Sequence, residues 1–75
     1  MAVKLTIQEL RPGDKIKVLT VNPANKSNLR KLAIFGILPG VEVELLQVKP
    51  AYVLRIENTE LALDNEIAKS ITFIR

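Results

Sequence analysis

Acidic side chains are the main candidates for chemistry in this 75-residue chain, because it contains no cysteine and no histidine. Without them there is no disulfide, no thiolate or imidazole metal ligand, and no Cys-His or Ser-His nucleophile pair. The remaining carboxylates are dispersed, without the spacing of a calcium loop; they include Asp14, Glu42, Glu44, Glu57, Glu60, Asp64 and Glu66. We interpret them as solvated surface acids, and we expect no enzymatic activity, no metal site and no cofactor.

Basic side chains form the second set with chemical potential. The net charge is +3, and residues 1–40 carry seven Lys or Arg against two acids, whereas residues 41–75 carry four against six. A basic patch can bind nucleic acid or an acidic protein surface. Because only Tyr52 of the three aromatic residues is expected to be free for stacking, nucleic acid binding is a minor alternative to a solvated charged face. The basic side includes Lys15, Lys17, Lys26, Arg30 and Lys31.

Composition indicates one small domain over residues 1–75. Hydrophobic residues make up 48% of the chain and aromatic residues 4%, which favours an aliphatic core. No apolar stretch approaches the roughly 18 residues of a spanning helix, and the N-terminus lacks a signal-peptide pattern. We therefore expect a cytoplasmic protein with no direct membrane insertion.

Alternating apolar and polar residues predict the elements that position these side chains. They indicate five short strands, with changes of phase after Val18 and Leu45 that are typical of bulges. Thr6 with Glu9, and separately Asp64, have the spacing of helix caps. Together with a central helix this makes two or three short helical segments. The predicted fold class is mainly β, a small closed or half-open barrel.

The central helix carries the least ordinary pattern. Its predicted apolar face consists of Leu29, Leu32, Ala33 and Gly36, and Ser27 or Asn25 is a candidate N-cap. Ile34 falls instead on the polar side, between Arg30 and Lys31 in the helical wheel. It is either covered by a loop or exposed for a partner.

Tight turns are predicted around the glycines. Gly36 stands where a helix favours a left-handed C-terminal residue. Pro39 and Gly40 form a second turn, since proline presets a negative φ and glycine tolerates a positive one. Gly13, after Pro12, ends the first helical turn.

The ordered set of these residues resembles the FeoA family over almost the whole chain. The set is Leu10, Pro12-Gly13, Val18, Lys31-Leu32, Phe35-Gly36-Ile37, Pro39-Gly40, Ala62-Leu63, Ala68, Ile71 and Phe73. The resemblance implies a Src-homology-3-like barrel and a small accessory protein of ferrous iron uptake. Its implied partner is the permease FeoB, through the cytosolic GTPase portion.

Two positions depart from the family pattern. Lys49-Pro50-Ala51 stands at a hairpin turn where glycine is common in the family, and Asn58 replaces a glycine before the last hairpin. Asparagine tolerates the left-handed conformation, so we expect Asn58 to preserve the fold. The family pattern defines less well the tip of the hairpin near Tyr52, where Lys49-Pro50-Ala51 stands.

A chain without a catalytic constellation must act by binding, so we expect an interaction surface. The candidate partner-binding residues are Arg30, Lys31, Ile34, Phe35, Ile37 and Leu38. An equally weighted alternative is that Phe35, Ile37 and Leu38 only cap the barrel.

Other function classes stay open. The chain is also similar to the C-terminal barrel domain of metal-dependent transcriptional repressors, which serves regulatory contacts. A homo-oligomer is a further alternative, for which exposed Ile34, Leu46 or Ile74 would be suitable.

Overall fold

The computed structural model describes residues 3–22 and 26–75. A short 3-10 helix spans Ile7–Glu9, and two α-helices, α1 and α2, span Lys26–Ile34 and Asn65–Lys69. Strands β1 to β6 are Lys4–Thr6, Lys15–Val21, Glu42–Gln47, Tyr52–Ile56, Thr59–Leu63 and Ile71–Ile74.

All six strands of the described chain belong to one antiparallel sheet in the order β1-β6-β2-β3-β4-β5. The mainly β architecture is confirmed, with six strands rather than the predicted five. The missed strand is β1, which at three residues is too short for an alternating pattern to register. The end strands β1 and β5 do not pair with each other, so the barrel-like sheet is half open.

Two register shifts bend the sheet. One lies between Val18 and Thr20 on β2, and the other between Leu45 and Gln47 on β3. Both coincide with the predicted changes of phase, which confirms the bulges. The bending lets short strands wrap around one core of aliphatic residues and a single phenylalanine. That core consists of Ile7, Leu10, Ile16, Val18, Leu32, Ile37, Val43, Leu45, Leu54, Ile56, Leu63, Ala68, Ile71 and Phe73.

The caps of the short helical segments follow the sequence pattern. The Glu9 carboxylate accepts hydrogen bonds from the backbone N–H and the hydroxyl of Thr6, both at 3.1 Å. Asp64 accepts from the N–H of Ile67 at 2.8 Å. For α1 the prediction of Ser27 as N-cap is wrong, because the helix already includes Lys26. The other candidate, Asn25, lies outside the described residues.

The predicted turns are confirmed at the glycines, with one difference at the last hairpin. Gly13, Gly36 and Gly40 all have positive φ, and the N–H of Val41 bonds to the carbonyl of Leu38 at 3.1 Å across Pro39-Gly40. In the β4–β5 hairpin the residue with positive φ (55°) is Glu57. The hairpin forms with Asn58 in place of glycine, as expected, but it does not use the left-handed conformation that asparagine tolerates.

Candidate protein-binding surface

Helix α1 buries one residue and exposes most of its other apolar side chains. Leu32 is 2% exposed, whereas Leu29 is 46% and Ile34 73% exposed. Ala33 is exposed as well, so the predicted four-residue apolar face is reduced to Leu32 and the half-buried Gly36. A nine-residue helix is marginal in water without packing, so the single anchor at Leu32 carries much of its stabilisation.

The end of α1 decides which residues face inward. The N–H of Ile37 bonds to the carbonyl of Leu32 (2.8 Å), and the N–H of Gly36 to the carbonyl of Ala33 (3.0 Å). This pair of bonds, with φ of 88° at Gly36, is the Schellman arrangement of a helix C-terminus. It reverses the chain and brings Ile37 into the same core cluster as Leu32.

The reversal corrects one predicted site residue. Ile37 is 1% exposed and belongs to the core, so it is not available to a partner. Phe35 and Leu38, which flank the reversal, are 48% and 47% exposed, so each keeps about half of its side chain available to a partner; the alternative that they only cap the barrel stays open for these two residues. Arg30 and Lys31 are exposed. We call the five remaining residues the α1 surface: Arg30, Lys31, Ile34, Phe35 and Leu38.

The charge on α1 is entirely positive. The helix carries three cations, Lys26, Arg30 and Lys31, and no acidic residue. The two ion pairs found within residues 3–22 and 26–75 lie elsewhere, between Arg55 and Glu44 and between Arg75 and Asp14. The α1 surface therefore combines exposed aliphatic and aromatic groups with cations, which suits an acidic partner.

The basic half of the chain does not form a single face. In the sheet register Lys15 lies opposite Glu44 and Lys17 opposite Glu42. Strand pairing thus mixes the basic first half with the acidic second half. The aromatic residue expected to be free, Tyr52, is half-buried against the core, and Phe35 is the exposed one.

The carboxylate of Asp14, at the start of β2, is held in place by a hydrogen bond and an ion pair. The carboxylate accepts from the backbone N–H of Arg11 at 2.9 Å and pairs with the Arg75 guanidinium at 3.1 Å. The bond from Arg11 is the main cause that lowers the pKa of Asp14; desolvation opposes it, and Arg75 lowers the pKa further. This arrangement ties the last residue to the start of β2 and is structural.

A groove runs between α1 and strand β5. It has a volume of about 150 Å³ and is lined on one side by Lys31, Leu32 and Phe35, and on the other by Leu61 and Ile67. Asn28, Ala62, Leu63 and Asp64 complete the lining. Sequence reasoning missed this groove, because its walls are about 30 residues apart in the chain.

No three acidic residues in the described part of the chain are grouped so that they could hold a metal ion. Among the same residues, no helix has the length and apolar character needed to cross a bilayer.

The six-stranded, bulged sheet with one exposed amphipathic helix defines the class as a small Src-homology-3-like barrel domain. A match to the FeoA domain model extends over residues 5–73. The chain therefore belongs to the FeoA domain family, as the ordered sequence motifs predicted. A comparison with curated protein sequences finds no match.

Solved structures support the same assignment. FeoA of Stenotrophomonas maltophilia, described as a prokaryotic SH3 domain protein and complexed with zinc, is 25% identical with a TM-score of 0.79; the match covers 92% of this chain and 88% of that one. Iron(II) transport protein A of Clostridium thermocellum is 26% identical with a TM-score of 0.79, covering 93% of this chain and 45% of that one.

A protein described as a manganese-dependent transcriptional repressor shares the fold as well, with a TM-score of 0.86 and 19% identity; the match covers 99% of this chain and 42% of that one. IdeR of T. acidophilum matches with a TM-score of 0.86 and 20% identity over 93% of this chain. The match covers 33% of the IdeR chain, so this chain spans about a third of that protein. At this identity the similarity establishes the fold alone.

Proposed function

We propose that this chain is a non-enzymatic accessory protein of ferrous iron uptake. Membership of the FeoA family supports this role, and so does the similarity to a protein named iron(II) transport protein A. The partner we propose is a FeoB-type permease, bound through its cytosolic GTPase portion. The protein then acts in the cytoplasm, at the inner face of the membrane.

The observation that carries the proposal is the α1 surface, above all Ile34. An isoleucine that is 73% exposed contributes nothing to the core, and Phe35 and Leu38 beside it are about half exposed. Full burial of one such side chain contributes about 1.5–3 kcal/mol. Arg30 and Lys31 then orient an acidic partner surface and speed its encounter with α1.

Binding alone is sufficient as a mechanism. A protein that binds two states of a permease with different affinities shifts the population toward the state that it binds more tightly. The size of that shift equals the difference between the two binding free energies. No proton or electron transfer by this chain is required.

The test is a binding titration with the isolated cytosolic portion of the permease, monitored by calorimetry. The double variant Ile34→Asp with Arg30→Glu is expected to bind at least about tenfold more weakly, because it places a carboxylate in the apolar contact and reverses one charge. Retention of the domain at unchanged affinity would overturn the α1 surface as the binding site.

A matched control keeps the test specific. Val3→Asp with Lys49→Glu makes the same two chemical changes at exposed positions away from α1. This control should bind like the unmodified protein. Circular dichroism of both variants shows whether each one retains the fold.

A second candidate function is a regulatory barrel, like the C-terminal domain of metal-dependent repressors. The TM-score of 0.86 to a manganese-dependent transcriptional repressor favours it, although only the fold is shared at 19% identity. The same titration separates the two candidates, since a regulatory barrel has no reason to retain the permease domain. Self-association through Ile34 stays a prediction; Leu46 and Ile74 are half-buried and suit it less.

A further inference from the structure

Strand β5 is an open edge of the sheet. It pairs with β4 on one side, from Ile56 opposite Thr59 to Tyr52 opposite Leu63. Because Ile56 and Thr59 close a two-residue turn, they exchange both backbone hydrogen bonds, and every second pair along the ladder does the same. The N–H and C=O groups of Glu60 and Ala62 therefore point away from β4.

These outward groups have no backbone partner within residues 3–22 and 26–75. Both residues are exposed. Unpaired N–H and C=O groups in a row are a template for an added strand, which is how several domain families recognise extended peptides. The β5 edge thus offers two donors and two acceptors at the spacing of a strand.

The groove between α1 and β5 lies beside this edge. Leu61 and Leu63 alternate with the two edge residues and line the groove, together with Leu32 of α1 and Phe35, which follows α1. A strand added to β5 continues the same alternation, so its residue next to Leu61 points to the groove side. The volume of about 150 Å³ is enough for one aliphatic side chain.

The charges on the other face of the sheet indicate what the added strand carries. Lys15, Glu44, Arg55 and Glu60 follow one another across β2, β3, β4 and β5 in the register. Their signs alternate, and Arg55 binds Glu44 at 2.6 Å. The next position in the row lies beyond Glu60, where a cation completes the alternation.

The β5 strand of a second copy does not fit this edge. Residues 57–66 contain four carboxylates and no Lys or Arg. Pairing two β5 edges brings both acidic segments together, and like charges across strands are destabilising. The acidic edge instead favours a strand that carries a basic residue.

We propose that the β5 edge binds an extended peptide segment as an added strand, with a basic residue opposite Glu60 and a neighbouring aliphatic residue in the groove between Leu61 and Phe35. This goes beyond the proposed function, since it concerns the edge rather than Ile34 and holds whichever protein supplies the strand.

The probe is an eight-residue blocked peptide of alternating valine and threonine, with arginine at one central threonine position. It is titrated into the ¹⁵N-labelled protein, and amide shifts and hydrogen exchange are followed by NMR. The expected result is slowed exchange at the N–H of Glu60 and Ala62, and little change at Leu61, whose N–H already bonds to β4. No protection at Glu60 and Ala62 would overturn the proposal.

Two pairs of variants sharpen the test. Ala62→Pro removes the outward N–H and should abolish binding, whereas Ala62→Val keeps it and should bind normally. The unmodified protein should prefer the arginine peptide over a glutamate peptide by about fivefold, and Glu60→Lys should reverse that order. Equal binding by Ala62→Pro, or no charge preference, contradicts an added strand.

The test is also independent of the permease experiment. Ile34→Asp does not change the groove or the edge, so this variant should bind the peptide like the unmodified protein. Peptide-induced shifts confined to Ile34 and Leu38 would reject the edge and leave the proposed function standing. Loss of permease binding together with normal peptide binding in Ile34→Asp would show that the two partners bind independently, with Lys31 and Phe35 common to both surfaces.

Discussion

The two α-helices of this domain each bury one residue but differ sharply in how much apolar surface they leave exposed. Helix α2 has only five residues, yet both of its ends are stabilised. Asp64 caps its N-terminus, and the hydroxyl of Ser70, at its C-terminus, donates to the carbonyl of Ile67 at 2.5 Å. Ala68 of α2 is fully buried. Helix α1 has nine residues and buries only Leu32. The shorter helix is the better integrated one.

This difference separates structure from function within the chain. Helix α2 is explained by packing and capping, which need no partner. In α1 those effects explain Leu32 and Gly36 but not the exposed Ile34. Apolar groups exposed together beside cations are typical of interaction surfaces. The larger, less buried helix is therefore the part of the molecule that we propose as the partner-binding surface.

The largest expected effect distinguishes two leucines within α1. Leu32→Ala should lower the free energy of unfolding by about 3 kcal/mol, because it opens a cavity in the core. Leu29→Ala, the same change at a 46% exposed position, should cost less than about 1 kcal/mol. Urea unfolding measures both losses. If Leu32→Ala does not fold, Leu32→Val replaces it, with an expected loss of about 1 kcal/mol in the free energy of unfolding. Equal losses at the two positions would mean that α1 is packed more evenly than described.

The next effect compares the helix N-termini. Asp64→Ala should cost about 1 kcal/mol, since the N–H of Ile67 loses its acceptor. Ser27→Ala in α1 should stay within about 0.5 kcal/mol, because Ser27 lies inside that helix and not at its cap. Asp64→Asn keeps a capping oxygen and serves as the control in the same unfolding assay. A cost for Ser27→Ala as large as that for Asp64→Ala would contradict the assigned start of α1.

The smallest effect provides a reference away from both helices. The pKa of Asp14 is lowered in the folded state, so its stabilisation is fully present above the unfolded-state value of about 3.9 and is lost as the pH falls through the folded-state value. The midpoints of urea unfolding are measured at pH 7, 4, 3 and 2 for Asp14→Asn and for the unmodified protein. At pH 7 the variant should be the less stable of the two, and the difference between their midpoints should shrink below pH 4. A constant difference would assign the effect of Asn to packing rather than to charge.

Much of the fold was predictable because it depends on local pattern. The bulges on β2 and β3, the cap at Asp64 and the turn at Pro39-Gly40 all follow from residues close together in the chain. Of the candidate site, Ile34 was singled out correctly as an apolar residue on a polar helix face, and it is exposed. Its role in binding stays a prediction.

The differences from these expectations share one physical origin. Ile37 and Leu38 are adjacent aliphatic residues after a helix, and no local pattern distinguishes them; the chain reversal at Gly36 puts the first inside and the second outside. The same holds for Glu57 and Asn58, where hairpin register rather than residue preference decides which one takes positive φ.

The sequence by itself determined the family, the strand pattern, the glycine turns and the exclusion of cysteine and histidine chemistry, because those depend on residue identity and on neighbours a few positions away. Only the tertiary structure decided that β5 is an open edge, that a groove separates it from α1, and that Lys15 and Lys17 lie opposite Glu44 and Glu42. Such features depend on which distant strands pair. Strand pairing is determined by the packing of all the strands around one core, and no single segment of the chain contains that information.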